Sequence, residues 1–339
     1  MKRLGQIFTS ISLAVLAGAA FAGQPTTVTV GSAGVVRYLQ QGQPPVVILP
    51  TVAAAQGMRA AHAAKGGHGK GGGGGSTTNN LLYGGGVGGI GVETAPKIYL
   101  VFWGSQWSSD PSGEASLLQS FIANMGGSSW FNTVTQYCQG VPSGTQFCNG
   151  AGTPAGNQSG MLQGVWYDSG TTVKSHLRQS DIANEAVRAA AHFGNTTASP
   201  NDNADYVIAL PTGVTPQGFG TQYCAYHSYT SSSYGNVAYT NLPYITDAGS
   251  SCGANFNGLG ADAGITIVGG HEIAEAATDQ FPSGGWLDSG GSEIGDKCAW
   301  ISSGQGASAD VSLNGTTYAV QSLWSNAFNN GGGGCVLSY

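Results

Sequence analysis

The chain of 339 residues carries 11 basic and 17 acidic side chains, 8% of its length, against about 25% in an average soluble protein. A net charge of −6 leaves no electrostatic footprint for nucleic acid, and so few charges exclude a coiled coil. A 41% hydrophobic content with 14 Tyr, 11 Phe and 7 Trp excludes global disorder.

Lys2 and Arg3 form a basic start, residues 7–20 are mostly apolar, and Ala20-Phe21-Ala22 places small residues two apart. This is the pattern of a secretory signal peptide over residues 1–22, predicting a secreted, extracellular protein or, in a bacterium, a periplasmic one. No later stretch approaches the ~20 apolar residues that span a bilayer, so no stable membrane anchor is expected. Six cysteines, Cys138, Cys148, Cys224, Cys252, Cys298 and Cys335, fit an oxidising compartment and three disulfides. Fifteen pairings are open; sequential pairing, which closes loops of modest length, is preferred.

Residues 23–65 hold short β-prone runs and an Ala-rich stretch, and read as a pre-segment ahead of the main domain, of the kind removed as a pro-segment. Residues 66–95 read as a Gly-rich linker, because 14 of the 26 positions from 66 to 91 are Gly and ordering them costs much backbone entropy. Within it, residues 86–91 match GxGxxG, but no helix signal follows. His62, Lys65, His68 and Lys70 read as solvated rather than metal-binding.

Globular signals begin at Pro96. Residues 98–103 (IYLVFW) read as a strand buried on both faces, 114–125 as a helix, 173–193 as a longer helix and 206–210 (YVIAL) as a second buried strand. Six Tyr between 223 and 244 read as one face of a paired sheet. Residues 96–339 are therefore expected to be a mixed α/β, α+β-class domain with a mixed sheet, stapled by disulfides.

Residues 262–279 (DAGITIVGGHEIAEAATD) carry the chemistry. Asp262 is a plausible N-cap, and Pro282 stops the helix. His271 and Glu275 are four apart and share a helix face, extended by Thr278 and Asp279. Glu272 is rotated by about 100°, while Gly269-Gly270 permits close backbone approach. This is the HExxH zinc-helix spacing with Glu in place of the second His, and it makes the expected domain zincin-like. His271, Glu275 and Glu293 are the expected metal ligands, and Glu272 the general base that takes a proton from a polarised water. Asp296 is expected to orient His271 from behind or to serve as an alternative ligand, and Asp279 and Asp288 likewise. A His/Glu/Glu set is hard and anionic, so Zn²⁺ is expected with Ca²⁺ or Mn²⁺ as alternatives. Six acids fall within residues 272–296, with only Lys297 beside them as counter-charge. Crowded carboxylates of this kind call for an ion or solvent.

Weaker motifs are residues 249–253, which match GxSxG without the strand–helix context of a serine hydrolase, and residues 288–293, an acidic loop without EF-hand spacing. His227 reads as a structural His beside Cys224, or as a donor to a substrate or transition state.

Residues 98–104 (IYLVFWG), the helix with Phe121-Ile122, residues 130–133 (WFNT), 205–210 with Cys224, the HEIAE run at 271–275, Trp286 and the EIGDKC run at 293–298 together resemble the secreted phosphate-induced, EXORDIUM-like proteins. Members carry a similar HE-x-A-E helix and an E-x-A-D-x-C segment, with Ala where this chain has Gly295. The resemblance spans 96–339 in patches and implies an extracellular, cell-wall-associated protein. Two functions are expected in turn: a secreted zinc metallopeptidase or other metallohydrolase acting on an extracellular peptide or cell-wall substrate, or a non-catalytic binding or signalling protein with a structural ion.

Overall fold

A computed structural model describes residues 26–27, 35–38, 42–66, 79–170 and 172–339. The expected signal peptide, His68 and Lys70 lie outside these residues, as do the side chains of His62 and Lys65.

Strands β1 (Thr26–Thr27), β2 (Val35–Tyr38) and β3 (Val46–Pro50) lead into helix α1 (Val52–Gly66). Then come β4 (Leu82–Tyr83), β5 (Lys97–Trp103), α2 (Glu114–Met125), the short β6 (Cys138–Gln139) and β7 (Thr153–Pro154), and β8 (Leu162–Asp168). Helices α3 (Gln179–His192) and α4 (Ala198–Asn201) precede β9 (Ala204–Ala209) and the hairpin of β10 (Tyr223–Ser232) and β11 (Gly235–Leu242). Helix α5 (Ala263–Thr278) is followed by β12 (Trp286–Leu287), β13 (Ala309–Leu313), β14 (Thr316–Val320), β15 (Leu323–Ser325), α6 (Phe328–Gly331) and β16 (Gly334–Val336).

The main sheet runs in the order β1-β2-β3-β10-β11-β9-β5-β8. Its pairs are antiparallel from β1 to β11 and parallel from β11 to β8, so the fold is the mixed α+β architecture expected. Strand alternation divides its faces. Tyr206 meets Asn195 and Asn201 on the α3 side, whereas Asp205, His227 and Thr240 face α5.

Helix α2 has the bounds its periodicity predicts. Helix α3 begins at Gln179 rather than 173, because Asp181 accepts the Arg178 N–H and closes the helix start there. Tyr223, Tyr226, Tyr229, Tyr234 and Tyr239 belong to the β10–β11 hairpin and Tyr244 follows it. They do not share one face, because Tyr226 and Tyr229 are three apart on β10, and Tyr223, Tyr226, Tyr239 and Tyr244 are buried.

Two expectations are corrected. Residues 79–95 are not linker: Leu81, Tyr83 and Val92 are buried, and β4 pairs with β12. The GxGxxG stretch is a tight turn in which Val87 and Ile90 exchange backbone hydrogen bonds. Nor does the globular unit begin at Pro96. Every residue of β3 is buried, and it pairs with β10 inside the sheet. Burial of Leu81, Tyr83 and Val92, at about 25 cal/mol per Å² of apolar surface, offsets the entropy cost of ordering the glycines around them.

The disulfides are Cys138–Cys148, Cys224–Cys252 and Cys298–Cys335, the sequential pairing. The second ties β10 to Cys252 ahead of α5; residues 249–253 of the GxSxG stretch fall at the end of a 3₁₀ segment, Ile245–Cys252, and not in a strand–helix elbow. Among the described residues no helix is long and apolar enough to cross a membrane.

Candidate metal centre

All sixteen residues of α5 are buried, which explains its composition. A Cβ on Gly270 would come within 3.0 Å of the Phe121 and Trp130 rings, so the double Gly lets α5 press against α2 and the segment after it. Asp262 occupies the N-cap position without a side-chain capping bond. At the other end Asp279 donates its N–H to Glu275 O. Its carboxylate accepts the N–H groups of Ser283, Gly284 and Gly285, folding the chain back toward β12.

That reversal brings residues 293–296 over the polar face of α5. The Asp296 N–H donates to Glu275 Oε1 at 2.8 Å, and the Glu293 N–H donates to Asp296 Oδ2 at 3.1 Å. From the sheet, His227 on β10 projects into the same space, with Nδ1 3.4 Å from Glu272 Oε2 and 3.6 Å from Glu275 Oε2. Its Nε2 is 3.5 Å from Glu293 Oε2. His227, His271, Glu272, Glu275, Glu293 and Asp296 are all essentially inaccessible to solvent.

The orientation of His271 decides what this cluster can hold. Gln321 donates its amide N–H groups to Gly295 O (2.9 Å) and Ser322 O (3.3 Å). Its Oε1 is therefore the atom 3.2 Å from His271 Nδ1, and because an amide oxygen only accepts, Nδ1 must carry hydrogen. In a neutral imidazole Nε2 then holds the lone pair. Nε2 points at Glu275 Oε1 from 3.1 Å and lies 4.0 Å from Asp296 Oδ1. Acceptors facing one another in a dry interior require a metal ion between them or a proton, carried by the ring or by a carboxyl.

Without a metal the proton takes that place. Burial would lower the His271 pKa, but the neighbouring carboxylates of Glu275, Glu272 and Asp296 override it and raise it to about 10. Burial and mutual repulsion hold Glu293 and Asp296 well above the usual carboxylate range. Burial raises Glu272 too, whereas the His271 charge outweighs burial at Glu275 and lowers it.

Among the described residues, two overlapping groups have ligand atoms within 4.8 Å of one another: His271 with Glu275 and Asp296, and His227 with Glu272 and Glu275. The oxygen-rich donor set, with one imidazole in each group, suits Zn²⁺ or Mn²⁺, and the Gln321 bond is the outer support that metal-binding His residues ordinarily have. The expected ligand positions are thus partly rearranged. His271 and Glu275 stand together as predicted, but the carboxylate that joins them is Asp296, and Glu293 lies against His227. Asp279 is spent on backbone N–H groups. Asp288 lies outside both groups: it accepts from Lys297 (2.8 Å), Asn79 (2.8 Å) and the N–H groups of Gly290 and Ser292.

His227 had two readings, and its place in the cluster makes it part of the site. Gln321, just past β14, has no sequence signal. Asp205 accepts from Thr240 at 3.0 Å behind the cluster, with burial raising its pKa to about 7; an acid beside the apolar run YVIAL was a legible hint.

No family model, curated protein or solved structure matches this chain.

Proposed function

We propose that this protein is an exported metal-dependent hydrolase, a zincin-like metallopeptidase in its local plan, with a divalent cation, Zn²⁺ by preference, held by His271, Glu275 and Asp296. The observation that carries the reading is the Nε2 of His271 aimed at two carboxylates while its Nδ1 is occupied by Gln321. A bound cation would supply Lewis acidity, polarising a substrate carbonyl and water. Glu272, one residue along α5 with its Oε1 buried and unpartnered, is placed to take the proton of that water. His227, across from Glu272, is placed to steady the charge that develops. Export is supported by the N-terminal sequence and the three disulfides, and a cell-wall or peptide substrate by the resemblance to EXORDIUM-like proteins.

The closed character of the site favours a second reading, a cell-wall-associated binding or signalling protein with a structural ion, since its side chains are all shut off from solvent. Elemental analysis of the purified protein together with a panel of peptides, esters and glycans separates the two. A hydrolase gives turnover that Glu272→Gln abolishes while the cation at His271 stays bound. A metal-loaded wild type inert toward the whole panel decides for the binding protein, and a protein without metal rejects both.

A further inference from the structure

The cluster around Glu275 offers more ligand atoms than a single cation at His271 would use. Glu275 is placed between the two groups: its Oε1 faces His271 and Asp296, and its Oε2 faces His227 and has no hydrogen-bond partner. Beyond the His271 group, His227 presents carboxylate oxygens to both ring edges, Glu272 and Glu275 at Nδ1 and Glu293 at Nε2. A neutral imidazole has one N–H and one lone pair, so one of those edges is again a lone pair facing carboxylates. Glu272 Oε1 and both oxygens of Glu293 receive no donor among the described residues. Asp279, which adjoins Glu293, is a second acid and is already held by the turn at 283–285. Lys297, the nearest cation in sequence, is committed elsewhere: its Nζ is 2.8 Å from Asp288 and lies 4.1 Å above the Trp324 ring.

We propose that the cluster binds two divalent cations, with Glu275 bridging them: one at His271, Glu275 Oε1 and Asp296, the other at His227 Nδ1, Glu275 Oε2 and Glu272 Oε2, with Glu293 across the ring at His227 Nε2. This rests on the metal-site reading above and extends it. Fully ionised, Glu272, Glu275, Glu293 and Asp296 carry four negative charges, which two divalent cations match, whereas beside a single cation the remaining carboxyls must keep protons in order to stay in a dry interior. Glu272 then meets the second cation through Oε2 and keeps its unpartnered Oε1 for the proton.

The test uses the full chain with its disulfides intact, stripped with chelator and reloaded with Zn²⁺ or Mn²⁺. Equilibrium dialysis with elemental analysis is expected to give two equivalents of Zn²⁺ per chain. His227→Gln and Glu272→Gln should each fall to one equivalent, with a fold unchanged by near-UV circular dichroism. One equivalent in the wild type overturns the bridged pair and leaves the single-cation reading standing; no bound metal overturns both. The Mn²⁺-loaded wild type needs no variant to fold: a spin-coupled paramagnetic resonance spectrum is expected, and the six-line spectrum of isolated Mn²⁺ at two equivalents overturns the bridge.

Discussion

Gln321 Oε1 accepts a hydrogen bond from His271 Nδ1 at 3.2 Å, and through it a residue fifty positions away decides which imidazole nitrogen faces Glu275. The Gln321 amide is itself fixed by two carbonyls, of Gly295 and Ser322, so the orientation passes from backbone to amide to ring. Supports of this kind around a metal ligand commonly matter 10–100-fold in affinity.

Gln321→Leu removes the acceptor while keeping bulk. Zn²⁺ affinity, measured by competition with a chromophoric chelator, is expected to fall on the order of 10–100-fold. Affinity unchanged from wild type would show that the ring is oriented without Gln321.

Gly295 lies against the imidazole: a Cβ placed there would be 2.6 Å from His271 Nδ1 and 2.9 Å from Glu275 Oε1. Its backbone is in the ordinary helical region, so Gly295→Ala acts through contact alone. The expected result is weaker metal binding and a loss of about 1–3 kcal/mol of stability from overpacking, read by chemical denaturation. A variant as stable and as tightly metal-bound as wild type would mean that ring and loop yield freely.

On the proposed metal-site reading, removing the cation destabilises the fold, since the carboxylates of the cluster then face one another without it. A ligand present at a thousand times its Kd adds about 4 kcal/mol to stability. A lower melting temperature in chelator, restored by added Zn²⁺, is expected; a melting curve indifferent to chelator would reject a resident ion.

Outside the cluster, the buried Glu114 carboxyl is raised to about 8 by burial, with Asp110 and Asp247 adding to the shift and the N–H groups of Ile245 and Thr246 opposing it. The folded chain therefore holds a proton there that the unfolded chain releases near the ordinary Glu value of about 4.3. More protons on the folded side mean that stability falls as pH rises from that value to about 8. Glu114→Gln keeps an acceptor for the Ile245 N–H, 3.0 Å from Glu114 Oε1 in the wild type, and should flatten this part of the pH–stability curve. An unchanged slope would show that Glu114 ionises in place.

β3 sits beside the site. Val47 is paired with His227 across the β3–β10 ladder, so its side chain lies on the same sheet face. Arg59 of α1 donates to Ala299 O at 2.8 Å, and Trp300 donates to Pro50 O at 2.7 Å. A chain beginning at residue 66 is expected to melt at a lower temperature and to aggregate through the bared β10 edge. Full stability and solubility of that chain would identify residues 23–65 as a detachable segment.

The local features were legible because local periodicity encodes them. An i, i+4 spacing places His271 and Glu275 on one helix face whatever surrounds it, apolar runs marked β5 and β9, and cysteine order matched the pairing. The Gly-rich stretch was misread over residues 79–95, since composition reports the entropy cost of ordering but not the neighbour that offsets it.

What only the tertiary structure decided is long-range: that His227 on β10 joins the cluster, that Gln321 orients His271, and that Asp296 rather than Glu293 stands with His271 and Glu275. Neither 3.6-residue nor two-residue periodicity relates these positions. They meet because sheet pairing and the turn held by Asp279 enclose them in one dry volume, where every polar atom must find a donor, an acceptor or an ion. The sequence by itself determined a helix that carries His271 and Glu275 on one face, with Glu272 beside them and further acids close behind. Which side chains meet them follows from the packing that shuts out water.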